Sequence, residues 1–292
     1  MAEESLSHIN PYEIPIYIIS YNRPSDLKLC IERLEQDGYK NLIILDNDST
    51  DESLLSYYRT LPYKIEYLRF NYGHKAFWKC GKFCDIIKKS YYVVTDPDIV
   101  PFGANSNYVE YFLQILKDYP HKTKVGFSLR IFDLPDEYPY KWDIIRFESF
   151  YNERVRGDKR VLYDAPIDTT FALYAPRENF PYDTEKFYDA IRTGEPYTAR
   201  HLTWYVTPET VSKELTAYFQ TGKKSNTSFN EDAICSYRRE VISKVADKMN
   251  ADLYEILKSI CTKHYVRKHV SIKGLVKAFF FIFYRKFLYS IR

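Results

Sequence analysis

The chain has 292 residues, 45% hydrophobic and 17% aromatic, with a formal net charge of only +3, which suits a folded, enzyme-sized protein of one large domain or two closely joined halves. The charge is uneven: Lys263 to Arg292 holds eight Lys or Arg and no Asp or Glu, leaving 34 basic against 39 acidic residues, a balance of −5, in the rest. A mildly acidic body disfavours nucleic-acid binding, and the basic character belongs to the tail.

Met1 to Asn10 has no apolar run, so no signal peptide is expected. Ile14 to Ser20 reads as a buried strand, and Ser25 to Gln36 as a helix with a capping serine and apolar Leu27, Ile31 and Leu34 on one face. Asn41 to Leu45 is a second strand and Thr50 to Tyr58 a second helix, followed by a strand over Ile65 to Phe70, a helix over His74 to Lys89 and a strand over Tyr91 to Thr95. Within that helix Cys80 and Cys84 sit one turn apart as packing residues, and the odd count of five cysteines, none spaced C-x-x-C, fits free thiols in a reducing compartment. Strand and helix alternating in this way predict an α/β fold with a mainly parallel sheet and helices on both faces. Ligands of such sheets bind beyond the carboxyl ends of the strands, and here all four ends are polar.

The fourth strand empties into Asp96-Pro97-Asp98. Residues i and i+2 of an extended chain point the same way, so both carboxylates can face one ion, and Pro97 stiffens their presentation. Mg²⁺ or Mn²⁺ prefers such hard oxygens and is commonly completed by substrate phosphates. The same three residues also serve as an ordinary turn.

Four motifs, in order, carry a resemblance to a known family: Ile18-Ile19-Ser20-Tyr21-Asn22-Arg23, Leu45-Asp46-Asn47-Asp48-Ser49-Thr50-Asp51, Asn71-Tyr72-Gly73 and the Asp96-Pro97-Asp98 "DxD". Over residues 12–130 the chain resembles the inverting family 2 glycosyltransferases and their GT-A relatives, which transfer sugars from nucleotide diphosphates. The resemblance implies a GT-A, Rossmann-like sheet, with Ser20, Asn22 and Arg23 lining the nucleotide pocket, Asp46 or Asp48 facing base or ribose, Asn71 on the same rim, Asp98 on the metal and Asp96 near the ribose. The usual alanines and glycines after the third strand are replaced by His74-Lys75-Ala76-Phe77-Trp78, where Lys75 is a phosphate contact or a solvated helix charge.

Past residue 130 the resemblance thins. Val125 to Leu129 predicts a further strand, and Leu134 to Tyr140 breaks regular structure. Asp168, ahead of the apolar Phe171 to Tyr174, is the preferred catalytic base, since an inverting transfer needs a carboxylate to take the acceptor hydroxyl's proton; Glu195 is the weaker candidate, and a turn cap is the plainer reading of Asp168. In Arg200 to Tyr205, His201 is a candidate metal or diphosphate contact and Trp204 a sugar-stacking face, or else both are structural. Thr207-Pro208-Glu209 predicts a helix start, and Gln220 to Ser228, with Lys223 and Lys224, reads as a lid or a plain surface loop. The tail, with Phe279 to Tyr284 between basic residues, is too short in its uncharged part to span a bilayer and suits a basic amphipathic helix on an anionic membrane surface, or a helix docked on protein.

The expected organisation is a nucleotide-sugar half over 1–130, an acceptor half over 131–250 and a membrane-associating tail over 251–292. The expected function is a Mn²⁺- or Mg²⁺-dependent transferase at the cytoplasmic membrane face, moving a sugar from a nucleotide-sugar donor, UDP by family frequency, to a glycan or lipid-linked acceptor of a bacterial surface polysaccharide or lipooligosaccharide. Two alternatives stand beside it: a catalytically inactive GT-A-like scaffold or carbohydrate-binding module, and a nucleotidyltransferase, which the absence of a Gly-rich loop in Ser20 to Pro24 disfavours.

Overall fold

The structure, a computed structural model, describes residues 9–103, 105–151, 153–207 and 209–221; the expected lid beyond Thr221 and the basic tail lie outside them. In chain order the first half comprises β1 (Ile16–Ser20), α1 (Pro24–Gln36), β2 (Leu42–Asp46), α2 (Glu52–Tyr58), β3 (Lys64–Tyr67), α3 (Ala76–Lys79), α4 (Cys84–Lys89) and β4 (Tyr92–Thr95). Then come β5 (Ile99–Phe102), α5 (Tyr108–Asp118), β6 (Lys124–Leu129), α6 (Lys141–Ser149), β7 (Leu162–Asp164), β8 (Ala172–Tyr174), β9 (Ala190–His201) and α7 (Lys213–Thr221). Residues 140–150, with helix α6, fall in a separate compact unit from the other described residues.

The strands form one mixed sheet in the order β3-β2-β1-β4-β8-β6-β9-β5, with β7 also paired to β9. The β3-β2-β1-β4 part is wholly parallel, as βαβ units require. Beyond it β8 runs antiparallel to both β4 and β6, while β6 and β9 are parallel. β6 closes on β8 because Gly126 has no side chain: a Cβ there would sit 2.4 Å from the Phe171 carbonyl oxygen.

Side chains alternate across the sheet into two cores. Ile16 and Ile18 of β1 join α1, α2 and α5 on one face, whereas Tyr17 and Ile19 join Phe77, Trp78, Phe83, Tyr92, Tyr174 and Phe187 on the other. Each large apolar side chain removed from water in this way contributes about 1.5–3 kcal/mol before the entropy of ordering is set against it. Burial on both faces is why the first strands read as unbroken apolar runs in the sequence.

Three local expectations are corrected. The N-cap of α1 is Arg23, not Ser25: Pro24, which suits the first helical position, starts the helix earlier. The helix expected over His74 to Lys89 is two pieces, α3 and α4, because Gly81 takes a left-handed φ of 72° between them. The helix expected at Thr207 begins at Lys213, where Ser212 Oγ accepts the Leu215 amide at 3.0 Å, after a turn in which Thr207 O accepts the amides of Thr210 and Val211. Among the described residues no helix is long and apolar enough to cross a membrane.

Candidate functional site

The parallel half of the sheet brings the loops after β1, β2, β3 and β4 to one rim, and buried polar side chains tie them together. Asn22, in the left-handed region with φ 49°, accepts the amides of Thr50 and Asp51 through Oδ1 at 2.8 and 2.9 Å, joining the first loop to the second. Asn47 donates to Asn71 Oδ1 and the Gly73 carbonyl at 3.2 Å and accepts the Tyr72 amide at 2.9 Å, joining the second to the third. Ser20 and Asp46 share the Tyr58 hydroxyl, each at 3.0 Å. Asp48 projects from the same loop, exposed and at φ 72°.

The DxD carries the strongest electrostatics. Arg23 Nη1 donates to Asp98 Oδ2 at 2.7 Å with both side chains almost wholly buried, and Nη2 is ion-paired with Asp26. His201 Nε2 lies 3.3 Å from the same Asp98 oxygen, its Nδ1 is 2.6 Å from Thr203 Oγ1, and its ring packs on Trp204. Burial would raise the pKa of Asp98, but the charges of Arg23 and His201 outweigh it and hold the carboxylate ionised. Asp96 goes the other way: burial and then the charge of Asp98 push its carboxyl well above the usual range, against a 2.6 Å hydrogen bond donated by Thr169 Oγ1. Burial likewise lifts Asp26 to about 6. Helix α7 covers this group, since Ser25 donates from N and Oγ to Glu214, and the Tyr218 ring lies 4.9 Å from the Arg23 guanidinium carbon.

Thr169 brings the loop of Asp168 to the rim. Asp168 itself is half exposed, with His74 Nε2 3.7 Å from its Oδ1. Lys124 Nζ, fully buried, donates to the Asp168 carbonyl oxygen at 2.7 Å and to Tyr174 Oη at 3.2 Å, and rests 3.8 Å from the centre of the Phe187 ring. Burial drives its pKa well below that of an ordinary lysine, against the pull of Asp168. Lys75 shares the Phe187 ring at 4.1 Å and donates to the Tyr182 carbonyl at 3.0 Å, so it faces the segment from Tyr182 to Phe187.

The structure therefore brings together Ser20, Asn22, Asp46, Asn71, Arg23, Asp96, Asp98 and His201, with Lys75 and Asp168 alongside. Glu195 is elsewhere, ion-paired with Arg130. Trp204 is buried beneath His201, so its ring offers no open stacking face. Thr169, Lys124, Asn47 and Tyr58 were missed by sequence reasoning; a lysine opening a strand and a tyrosine in a helix carry no signal that separates them from surface or core residues.

The expected Mg²⁺ or Mn²⁺ does not fit the residues as they stand. Asp98 Oδ2 is already shared by a guanidinium and an imidazole, and Asp96 Oδ2 already accepts from Thr169 Oγ1 at 2.6 Å. Among the described residues no three His, Cys, Asp or Glu side chains converge as a metal cage. Comparison of the chain with protein-family models and with curated proteins finds no match in either.

Proposed function

We propose that the chain is a GT-A type glycosyltransferase that moves a sugar from a nucleotide diphosphate, UDP before GDP, to a growing bacterial surface glycan such as a capsule, a lipooligosaccharide or a lipid-linked oligosaccharide. The observation that carries this reading is the convergence of four separate loops, by βαβ topology, on a rim that ends in a buried DxD and has one half-exposed carboxylate, Asp168, fixed next to it. Such a rim offers a polar slot for a nucleotide on the β1 to β3 side and a base on the side facing away from it.

In the proposed reaction the acceptor hydroxyl oxygen attacks the anomeric carbon as the bond to the diphosphate breaks on the opposite face, and Asp168 takes the hydroxyl proton. Lys124 and Thr169 act as positioning residues: one grips the Asp168 carbonyl, the other ties the neighbouring residue to Asp96. Negative charge grows on the departing diphosphate and must be met by preorganised positive charge at the rim. The basic tail would hold the enzyme at the inner membrane face, near a lipid-linked acceptor.

The test is release of nucleotide diphosphate from a panel of nucleotide sugars, with and without a lipid-linked or oligosaccharide acceptor. Acceptor-stimulated release that falls in Asp168→Asn is expected. Absence of release and of nucleotide binding across the panel would sink the transferase and leave a carbohydrate-binding scaffold.

A further inference from the structure

Asp98, the second carboxylate of the DxD, already has a cation. Arg23 follows a left-handed Asn22 and precedes Pro24, its backbone is neither helical nor extended (φ −138°, ψ 69°), and its side chain reaches Asp98 on the rim. There the guanidinium, 5% exposed, meets Asp98 at 2.7 Å and is flanked by Asp26. Burial opposes its charge, but the two carboxylates outweigh that cost, and an arginine does not lose its proton in any case. Arg23 Nε is buried and has no hydrogen-bond acceptor among the described residues, an uncommon state for a buried donor. Its planar fork of N–H groups has the geometry that donates to phosphate oxygens in pairs, which a point charge lacks.

From this arrangement we infer that Arg23 is the resident cation of the site, binding the donor's diphosphate and making nucleotide binding independent of a divalent metal. The inference rests on the transferase reading above and departs from the metal dependence expected for a DxD sequence. A metal ion on Asp98 would have to share its carboxylate with the guanidinium at contact distance, and the two positive charges repel in a site with little water to screen them. Removing Arg23 reverses the situation: Asp98 is left buried without its partner, and a divalent ion becomes the natural replacement.

The experiment is calorimetric titration of the full chain with UDP and with GDP, in chelator and in Mn²⁺, for the wild type, Arg23→Lys and Arg23→Gln, with a thermal melt of each to confirm folding. The wild type is expected to bind one nucleotide with an affinity that differs by less than about threefold between chelator and Mn²⁺. Arg23→Gln should lose more than about tenfold in chelator and recover much of it with Mn²⁺, while Arg23→Lys, which keeps the charge and loses the fork, should fall between them and stay metal-indifferent. Wild-type binding that requires Mn²⁺ overturns the inference and leaves the transferase intact. No binding of either nucleotide under any condition overturns the transferase reading itself. Should Arg23→Gln fail to fold, the wild-type pair of titrations and Arg23→Lys decide the matter alone.

Discussion

Replacing Lys124 by Met separates a buried neutral amine from a buried ammonium. Nζ is sealed among the Asp168 carbonyl, the Tyr174 hydroxyl and the Phe187 ring; the nearby Asp168 carboxylate favours its charge, and burial, with Lys75 and Arg192, opposes it. Burial lowers the amine's pKa far below the ordinary lysine value, whereas in the unfolded chain it stays protonated up to about pH 10.4. Folding then expels a proton, and the sign follows: stability is penalised at low pH and rises with pH across the window between the depressed folded value and the unfolded one. One proton corresponds to a slope of about 1.4 kcal/mol per pH unit. Met has the same reach without the amine, so the slope vanishes, and the two lost hydrogen bonds contribute a roughly pH-independent offset of about 1 kcal/mol each. Urea denaturation of both proteins at pH 7, 8 and 9 should show the wild type gaining on the variant as the pH rises, by at most about 1.4 kcal/mol per pH unit. Cysteine ionisation in the unfolded chain, opposed in the fold by burial of Cys30, tilts both curves alike and cancels in the difference. Parallel curves would refute the argument and show that the amine stays charged inside the fold.

Asp168→Asn should lower turnover by about 10²–10⁴ through loss of the base while nucleotide affinity, measured by calorimetry, is unchanged. Asn22→Ala removes the acceptor of two loop amides and puts alanine in the left-handed region, which together should cost about 3 kcal/mol in urea unfolding; Asn22→Asp, which keeps the acceptor, should cost much less. Asp133 is held down to about 2, against burial, by hydrogen bonds from Arg200, Tyr205 and Arg130. Its folded value is depressed, so its stabilisation is complete above the unfolded carboxylate value and disappears as pH falls towards 2. After discounting for partial exposure, Asp133→Asn should cost about 1 kcal/mol at pH 7, and chemical denaturation at pH 7 and pH 3 should show that difference shrinking.

What could be read from the sequence and what could not divide along a physical line. The strands β1, β2 and β4 were legible because burial on both faces writes a continuous apolar run such as Ile16 to Ile19. β7, with three residues, and β9, interrupted by Gly194 to Tyr197, have no such run, and β8 lies in a short one, Phe171 to Tyr174; their place is set by pairing with distant strands, and the register between β6 and β9 slips where those four residues of β9 loop out. Helix ends went wrong for a similar reason. Ser25 is a good capping residue by type, but Pro24 had already fixed the first turn, and nothing local to Thr207 reveals that the next turn closes on itself before Ser212 begins the helix.

The rim itself was legible, since βαβ order alone delivers the ends of β1 to β4 to one side and the polar motifs sit at those ends. Which partner each motif meets was not. A DxD at the end of a buried strand states a demand for positive charge; it does not state the supplier. That supplier is Arg23, separated from Asp98 by 75 residues, and the restraint on Asp96 is Thr169, separated by 73. The family resemblance gives Arg23 as a lining residue of the nucleotide pocket without naming a partner inside the chain; its pairing with Asp98 depends on two parallel strands lying side by side, with Ile18 opposite Thr95. That register brings the end of β1 next to the end of β4, within reach of a guanidinium. The same adjacency that makes the DxD look like a metal site therefore also lets a side chain take the metal's place, and only the three-dimensional neighbourhood distinguishes the two.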